Sequence, residues 1–148
     1  MNPEVSVNCS LFYVDDDPDD LELFKETAES IGESVCVFEF ANLMLYSLHN
    51  PPPDPSIIFV DLNMPTMNGF EVIQEIKKAP ALHKLPIIVY STSSSLDNVA
   101  HCKELGASLF VTKPSKVADL KKIIKDIVAI DWTKRKVTST NFIYKSNS

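Results

Sequence analysis

Four apolar runs in this chain each end on a polar group able to do chemistry. Leu11 to Val14 stops at Asp15-Asp16-Asp17, and Ile57 to Val60 stops at Asp61. Ile87 to Tyr90 opens into Ser91-Thr92-Ser93-Ser94-Ser95, and Leu109 to Val111 runs into Thr112-Lys113-Pro114. If these ends meet, Asp15, Asp16 and Asp61 repel one another, which raises a carboxyl pKa unless a cation shares the site. A hard divalent ion such as Mg2+ suits that donor set, because it prefers oxygen ligands and keeps several waters. Taken alone, Asp61 reads equally well as a residue that closes its strand or caps the next helix.

The elements between these groups decide whether they meet. The unbroken run Ile57-Ile58-Phe59-Val60 is the signature of a strand buried on both faces of a parallel sheet. Asp17-Pro18 fits an N-cap followed by proline at the first helical position, with Asp19 and Asp20 in the first turn. Leu21, Phe24, Ala28 and Ile31 then keep helical spacing as far as Gly32. Val35 to Phe40 reads as a second strand, and Leu43 to His49 as a short helix ended by Asn50-Pro51-Pro52-Pro53. Pro65 and Asn68-Gly69 mark a turn, and a helix with Phe70, Ile73 and Ile76 on one face begins near Asn68. A fourth helix carries Leu96, Val99, Ala100 and Leu105 and stops at Gly106. Ser115 is positioned to cap a last helix with Val117, Leu120, Ile123, Ile124, Ile127 and Val128 on its apolar face.

Five strand–helix units in alternation predict an α/β fold, a doubly wound five-stranded parallel sheet with helices on both faces. The carboxyl ends of all its strands share one rim, where open α/β sheets place their ligands. Asp15, Asp16, Asp61, Ser91 and Lys113 therefore fall on that rim together.

Composition narrows the class. A chain of 148 residues with 45% hydrophobic and 23% charged content fits one domain with a single sizeable core. The net charge of -6 favours neither nucleic acid nor an anionic membrane. Met1 to Asn8 has no signal-peptide character, and no apolar run approaches the ~20 residues of a membrane helix. Cys9, Cys36 and Cys102 are odd in number and lack C-x-x-C spacing, so they are expected to be buried thiols in a reducing compartment. Together these features predict a cytoplasmic protein. His49, His83 and His101 show no metal-ligand spacing and read as surface or satisfied residues. Lys134-Arg135-Lys136 reads as part of a solvated tail. Trp132, Phe142 and Tyr144 either fold back on the domain or pack on a partner.

The acidic cluster, Asp61, Ser91 and Lys113-Pro114, in this order and with a strand between each, resemble the receiver domain of two-component response regulators over about Leu11 to Val128. The resemblance implies a flavodoxin-like sheet of strand order 2-1-3-4-5 and a receiver domain at 9–130, leaving 131–148 as a tail with no domain of its own. It implies that Asp61 accepts a phosphoryl group, as an acyl phosphate, from a histidine kinase or phosphotransfer protein. Lys113 and the Ser91 hydroxyl would contact the phosphoryl oxygens. Mg2+, with Mn2+ able to substitute, would be held directly by Asp16, Asp61 and the backbone carbonyl of Asn63, and by Asp15 largely through water. Ser91 and Phe110 would form the switch pair, and the Lys113-Pro114 bond would be cis. The signal would leave to a downstream protein, or to a homodimer partner, across the face of the fourth helix, fifth strand and fifth helix. Such a protein phosphorylates and dephosphorylates only itself and is not otherwise an enzyme.

This chain departs from the family pattern at Ser91, where threonine is commoner, and the adjacent Thr92 leaves the register open, with Ser91 preferred. A haloacid-dehalogenase-like phosphatase would also use an aspartate nucleophile, Mg2+ and a lysine. It wants a second aspartate two residues after the nucleophile, however, and Asn63 stands there. A receiver that serves as an unphosphorylated scaffold is the third reading.

Overall fold

The computed structural model describes residues 9–49, 56–65 and 67–145. Met1 to Asn8 and the Asn50–Pro53 stop expected after the second helix lie outside them. Five strands alternate with five helices: β1 (Leu11–Val14), α1 (Pro18–Ser30), β2 (Val35–Phe38), α2 (Ala41–His49), β3 (Ile57–Val60), α3 (Gly69–Lys78), β4 (Ile87–Ser91), α4 (Leu96–Leu105), β5 (Leu109–Thr112) and α5 (Val117–Val128). All strand pairs are parallel, in the order β2-β1-β3-β4-β5, as expected for a flavodoxin-like sheet.

Strand side chains alternate between two apolar layers. Leu11, Tyr13, Phe59, Tyr90 and Val111 face α1 and α5. Phe12, Val14, Val60, Val89 and Phe110 face α2, α3 and α4. Strands buried on both sides have no polar alternation, which is why β1, β3 and β4 read as continuous apolar runs.

Local chemistry fixes the entries to the helices near the rim. Asp17 caps α1, its carboxylate accepting the amide of Asp19 at 2.9 Å ahead of Pro18. Asn68 and Glu71 close a reciprocal capping box at the start of α3. Gly69 is required there by contact: a Cβ would lie 2.5 Å from the Asp61 carbonyl oxygen and 2.8 Å from Leu62 Cα. Gly106 ends α4 with φ of 102°, a left-handed conformation that glycine adopts without steric penalty.

Several expectations change. The fifth helix is capped by the backbone of Lys116, with no side-chain bond, and not by Ser115. Leu96 and Ala100 of α4 face outward, leaving Cys102 as that helix's buried residue. On α3, Val72 joins Ile73 and Ile76 in the core, while Phe70 is half-buried against His101.

The cysteines also depart from the thiol expectation. Cys9 and Cys36 are disulfide-bonded, and Cys102 alone is a buried thiol, pushed up to about 12 by burial. The residues ahead of β1 run close to β2, and the Cys9 and Cys36 Cα atoms lie 5.9 Å apart, inside the range a disulfide spans, although the strand register itself sets Phe12 opposite Cys36. Nothing in their spacing reveals that pairing, and the inference of a reducing compartment no longer follows from the cysteines.

The tail folds back. It crosses the outer edge of β5, where Phe142 enters the α4-side core and Trp132 and Tyr144 pack on the α5 side. Arg135, expected in solvent, is half-buried and donates to the carbonyls of Ser108, at 2.6 Å, and Asn141.

Candidate functional site

The strand ends deliver the expected side chains to one place. Asp15 follows the last residue of β1 and is almost fully buried, Asp61 follows β3, and Lys113 follows β5. Asp15, Asp16 and Asp61 each present a carboxylate oxygen within 4.8 Å of the others. Asp16 is exposed beside the two buried carboxylates. Lys113 Nζ lies 2.6 Å from Asp15 Oδ2, 2.8 Å from Asp20 Oδ2 and 3.5 Å from Asp61 Oδ1.

Electrostatics ranks these groups. Burial and then the neighbouring Asp15 raise the Asp61 carboxyl from 3.8 to about 6, against the pull of Lys113. Burial alone would lower the Lys113 ammonium, but its hydrogen bonds to Asp15 and Asp20 outweigh this and hold it above its ordinary value. Lys113 is therefore a fixed cation, and its two shorter contacts go to Asp15 and Asp20. Asp61, the farthest of the three, retains charge that Lys113 alone does not neutralise.

Three residues of the site escape a reading of motifs. Asp20 lies in the first turn of α1, and the Pro18 start turns it back toward the rim, where it holds Lys113. Tyr13 donates to Asp15 Oδ2 from inside β1, hidden in an apolar run. Tyr90 lies under the ammonium of Lys113, 5.6 Å from nitrogen to ring centroid, a cation–π contact. The only sequence signal for any of them was the surplus of acids after Asp17.

The remaining expected residues are placed as follows. Ser91 is fully buried at the end of β4, its carbonyl accepting the Lys113 amide at 2.8 Å and its hydroxyl accepting the Ser93 amide at 3.2 Å. Thr92 beside it is exposed, and so is Asn63, two residues beyond Asp61. Phe110 is fully buried in the α4-side core, three residues before Lys113 and away from the carboxylates.

The donor set fits a hard divalent cation: three carboxylates converge, all donors are oxygen, and one carboxyl is pushed up by burial and then by the neighbouring Asp15. Asp15, Asp16 and Asp61 would hold it.

Known proteins agree with this geometry. Chemotaxis protein CheV1 of Helicobacter pylori is 30% identical over 130 residues, covering 86% of this chain and 40% of that protein. The structure of the phosphorylated cyanobacterial phytochrome response regulator RcpA matches with a TM-score of 0.68 at 30% identity, covering 79% of this chain and 89% of that one. The Mn2+-bound form of response regulator Rcp1 matches with a TM-score of 0.68 at 25% identity, covering 87% and 98%. The chain spans about half or less of the length of the curated relatives it matches. The response regulator receiver domain matches residues 11–125. With the β2-β1-β3-β4-β5 sheet and the acidic rim in place, the chain belongs to the response regulator receiver domain family.

Proposed function

We propose that this chain is a response regulator receiver that accepts a phosphoryl group on Asp61 in a Mg2+-dependent reaction. Receiver domains are phosphoacceptor signalling proteins that bind a divalent metal and contact histidine kinases and effectors. The observation that carries the reading is the convergence of Asp15, Asp16 and Asp61 around one partly satisfied carboxylate with Lys113 Nζ 3.5 Å away. Similarity to phosphorylated RcpA supports the phosphoacceptor part, and similarity to Mn2+-bound Rcp1 supports the metal.

In this reading residues 9–130 form the receiver and 131–148 its tail. Asp61 Oδ attacks the phosphorus of a phosphohistidine, and the histidine nitrogen leaves with the electron pair of the broken P–N bond. The nucleophile needs no general base, because a carboxylate is already anionic above about pH 6. Lys113 turns from Asp15 and Asp20 toward the transferred group and offsets its charge, and the Ser91 hydroxyl donates to it. Asp15, Asp16, Asp61 and the Asn63 carbonyl would hold a divalent ion, which would supply further positive charge to the phosphoryl oxygens. The change then passes through Ser91 and Phe110 to the α4–β5–α5 face, where a downstream protein or a second copy binds.

The donor is a histidine kinase or phosphotransfer protein; nucleic acid and membrane are not partners. Catalysis is limited to its own phosphorylation and dephosphorylation. We place the chain in the cytoplasm, with the Cys9–Cys36 bond as the feature at odds with that placement.

Acetyl phosphate with Mg2+ should give acid-stable, base-labile labelling of the parent and none of Asp61→Asn. Labelling of Asp61→Asn at the parental level would overturn the assignment. Beryllofluoride, a phosphoryl mimic, should alter hydrogen exchange mainly between Ser91 and Val117. A change confined to the Asp61 loop would remove the output face from the proposal.

A further inference from the structure

An edge strand offers a row of unpaired backbone groups that another extended segment can join. β5 is the edge strand beyond β4, and its outer edge is taken by this chain's own tail. The Phe110 amide donates to the Phe142 carbonyl and the Tyr144 amide donates to the Phe110 carbonyl, both at 2.8 Å, forming a parallel bridge between Phe110 and Ile143.

Side chains select the segment on both sides of the sheet. Phe142 is buried in the α4-side core with its ring 6.5 Å from that of Phe110. Tyr144 goes the other way, its hydroxyl donating to Asp126 Oδ2 of α5 at 2.5 Å. Arg135 ties the base of the segment through the Ser108 and Asn141 carbonyls while stacking on Trp132, 5.3 Å from its ring. Residues 136–140, though hydrogen-bonded to Asn141 through Thr138 and Lys136, are all exposed, Ile143 faces outward, and a cleft lined by Leu109, Asp126, Ala129, Ile130 and Tyr144 lies between part of the segment and the end of α5.

We infer that the outer edge of β5 is a strand-accepting site for an extended segment of the pattern Phe-x-Tyr, filled in cis by residues 141–145, and that the partner fitted to it in trans is the same segment of a second copy of this chain. The chemistry is the same in cis and in trans: two backbone hydrogen bonds to Phe110, an aromatic seat on one side of the sheet and the Asp126 carboxylate on the other. Any partner that uses this edge first displaces the tail. Exchange of identical segments between copies costs little in contacts, since each one lost is re-formed.

The test uses the full chain carrying Phe142→Ser, which empties the aromatic seat and leaves its walls intact. The probe is a synthetic peptide of residues 137–145, standing for the tail of a second copy. The peptide should bind this variant at least tenfold more tightly than the parent, whose own segment competes, and should shift the Phe110 amide resonance. A peptide with alanine in place of Phe142 should bind at least tenfold more weakly. Equal binding to variant and parent, or no binding to a folded variant, overturns the inference. Should Phe142→Ser not fold, native-state hydrogen exchange of the parent decides. The Phe110 and Tyr144 amides should open together and at least tenfold faster than the Val89 amide of β4, and opening only with the whole sheet overturns the site.

Discussion

Asp61 is the residue where burial, charge and function conflict most directly. Its carboxyl is raised from 3.8 to about 6, first by burial and then by Asp15. The metal-free folded chain therefore holds this proton more tightly than the unfolded chain does. The contribution of Asp61 favours folding below about pH 4 and is lost as pH rises through about 6. Asparagine does not titrate, so Asp61→Asn should gain stability relative to the parent between those values and hold a constant advantage above them. Urea titrations of the two proteins at pH 4.5, 5.5 and 7 without metal measure the difference. A difference that does not vary with pH would mean the raised carboxyl is not felt in folding. Added Mg2+ should shrink the advantage at pH 7, since a cation favours the ionised form. At this scale the sequence was most legible where a polar residue broke an apolar run, as Asp61 and Lys113 do. Tyr13 was illegible for the converse reason, because its ring belongs in the core and only its hydroxyl reaches Asp15. Asp20 was read as a first-turn charge, and the salt bridge it makes to Lys113 spans 93 residues of sequence.

Elements carry the site by their ends. Short apolar runs and helical spacing located the ten elements, because an apolar face has to be covered whatever the loops do. Their boundaries were less clear: Ser115 and Lys116 both stand before an apolar stripe, and only the backbone decides which is the cap. The entry to α3 matters most for function, since it closes the loop that follows Asp61. Loss of the Asn68 cap in Asn68→Ala should cost about 1 kcal/mol, read by chemical denaturation. Gly69→Ala should cost more, roughly 1–3 kcal/mol, as overpacking does, because its methyl meets backbone at the Asp61 carbonyl and at Leu62. The two variants separate stability from function. Asn68→Ala frays a helix end and should label nearly normally with acetyl phosphate. Gly69→Ala displaces the Asp61 backbone and should label at least tenfold more slowly at equal fraction folded. Equal labelling of both would mean that the loop tolerates the added methyl.

Over the whole molecule, the two features hidden in the sequence lie at the two edges of the sheet. A parallel sheet ends in strands with one unpaired side, and proteins blunt such edges in different ways. β5 is covered by the tail, and β2 is tied to the start of β1 by Cys9–Cys36. Both are pairings between distant residues, and they become visible only once the strand order has set which strands are outermost. β2 has the weaker hold of the two, since only Val35 of its four residues is buried. The disulfide therefore has a definite task there. It closes a loop with a sequence separation of 27 that contains the whole of α1. Chain entropy puts the closure of a loop of that size at about 3–4 kcal/mol. Reduction, or Cys36→Ser, should lower the unfolding free energy by an amount of that order, and the two treatments should agree. Hydrogen exchange should quicken first in β2, with the β3–β4 pair and the site beside it unchanged. A reduced protein as stable as the oxidised one would mean that pairing with β1 and the cover of α1 and α2 hold β2 without help. In that case the bond would follow from the fold without supporting it.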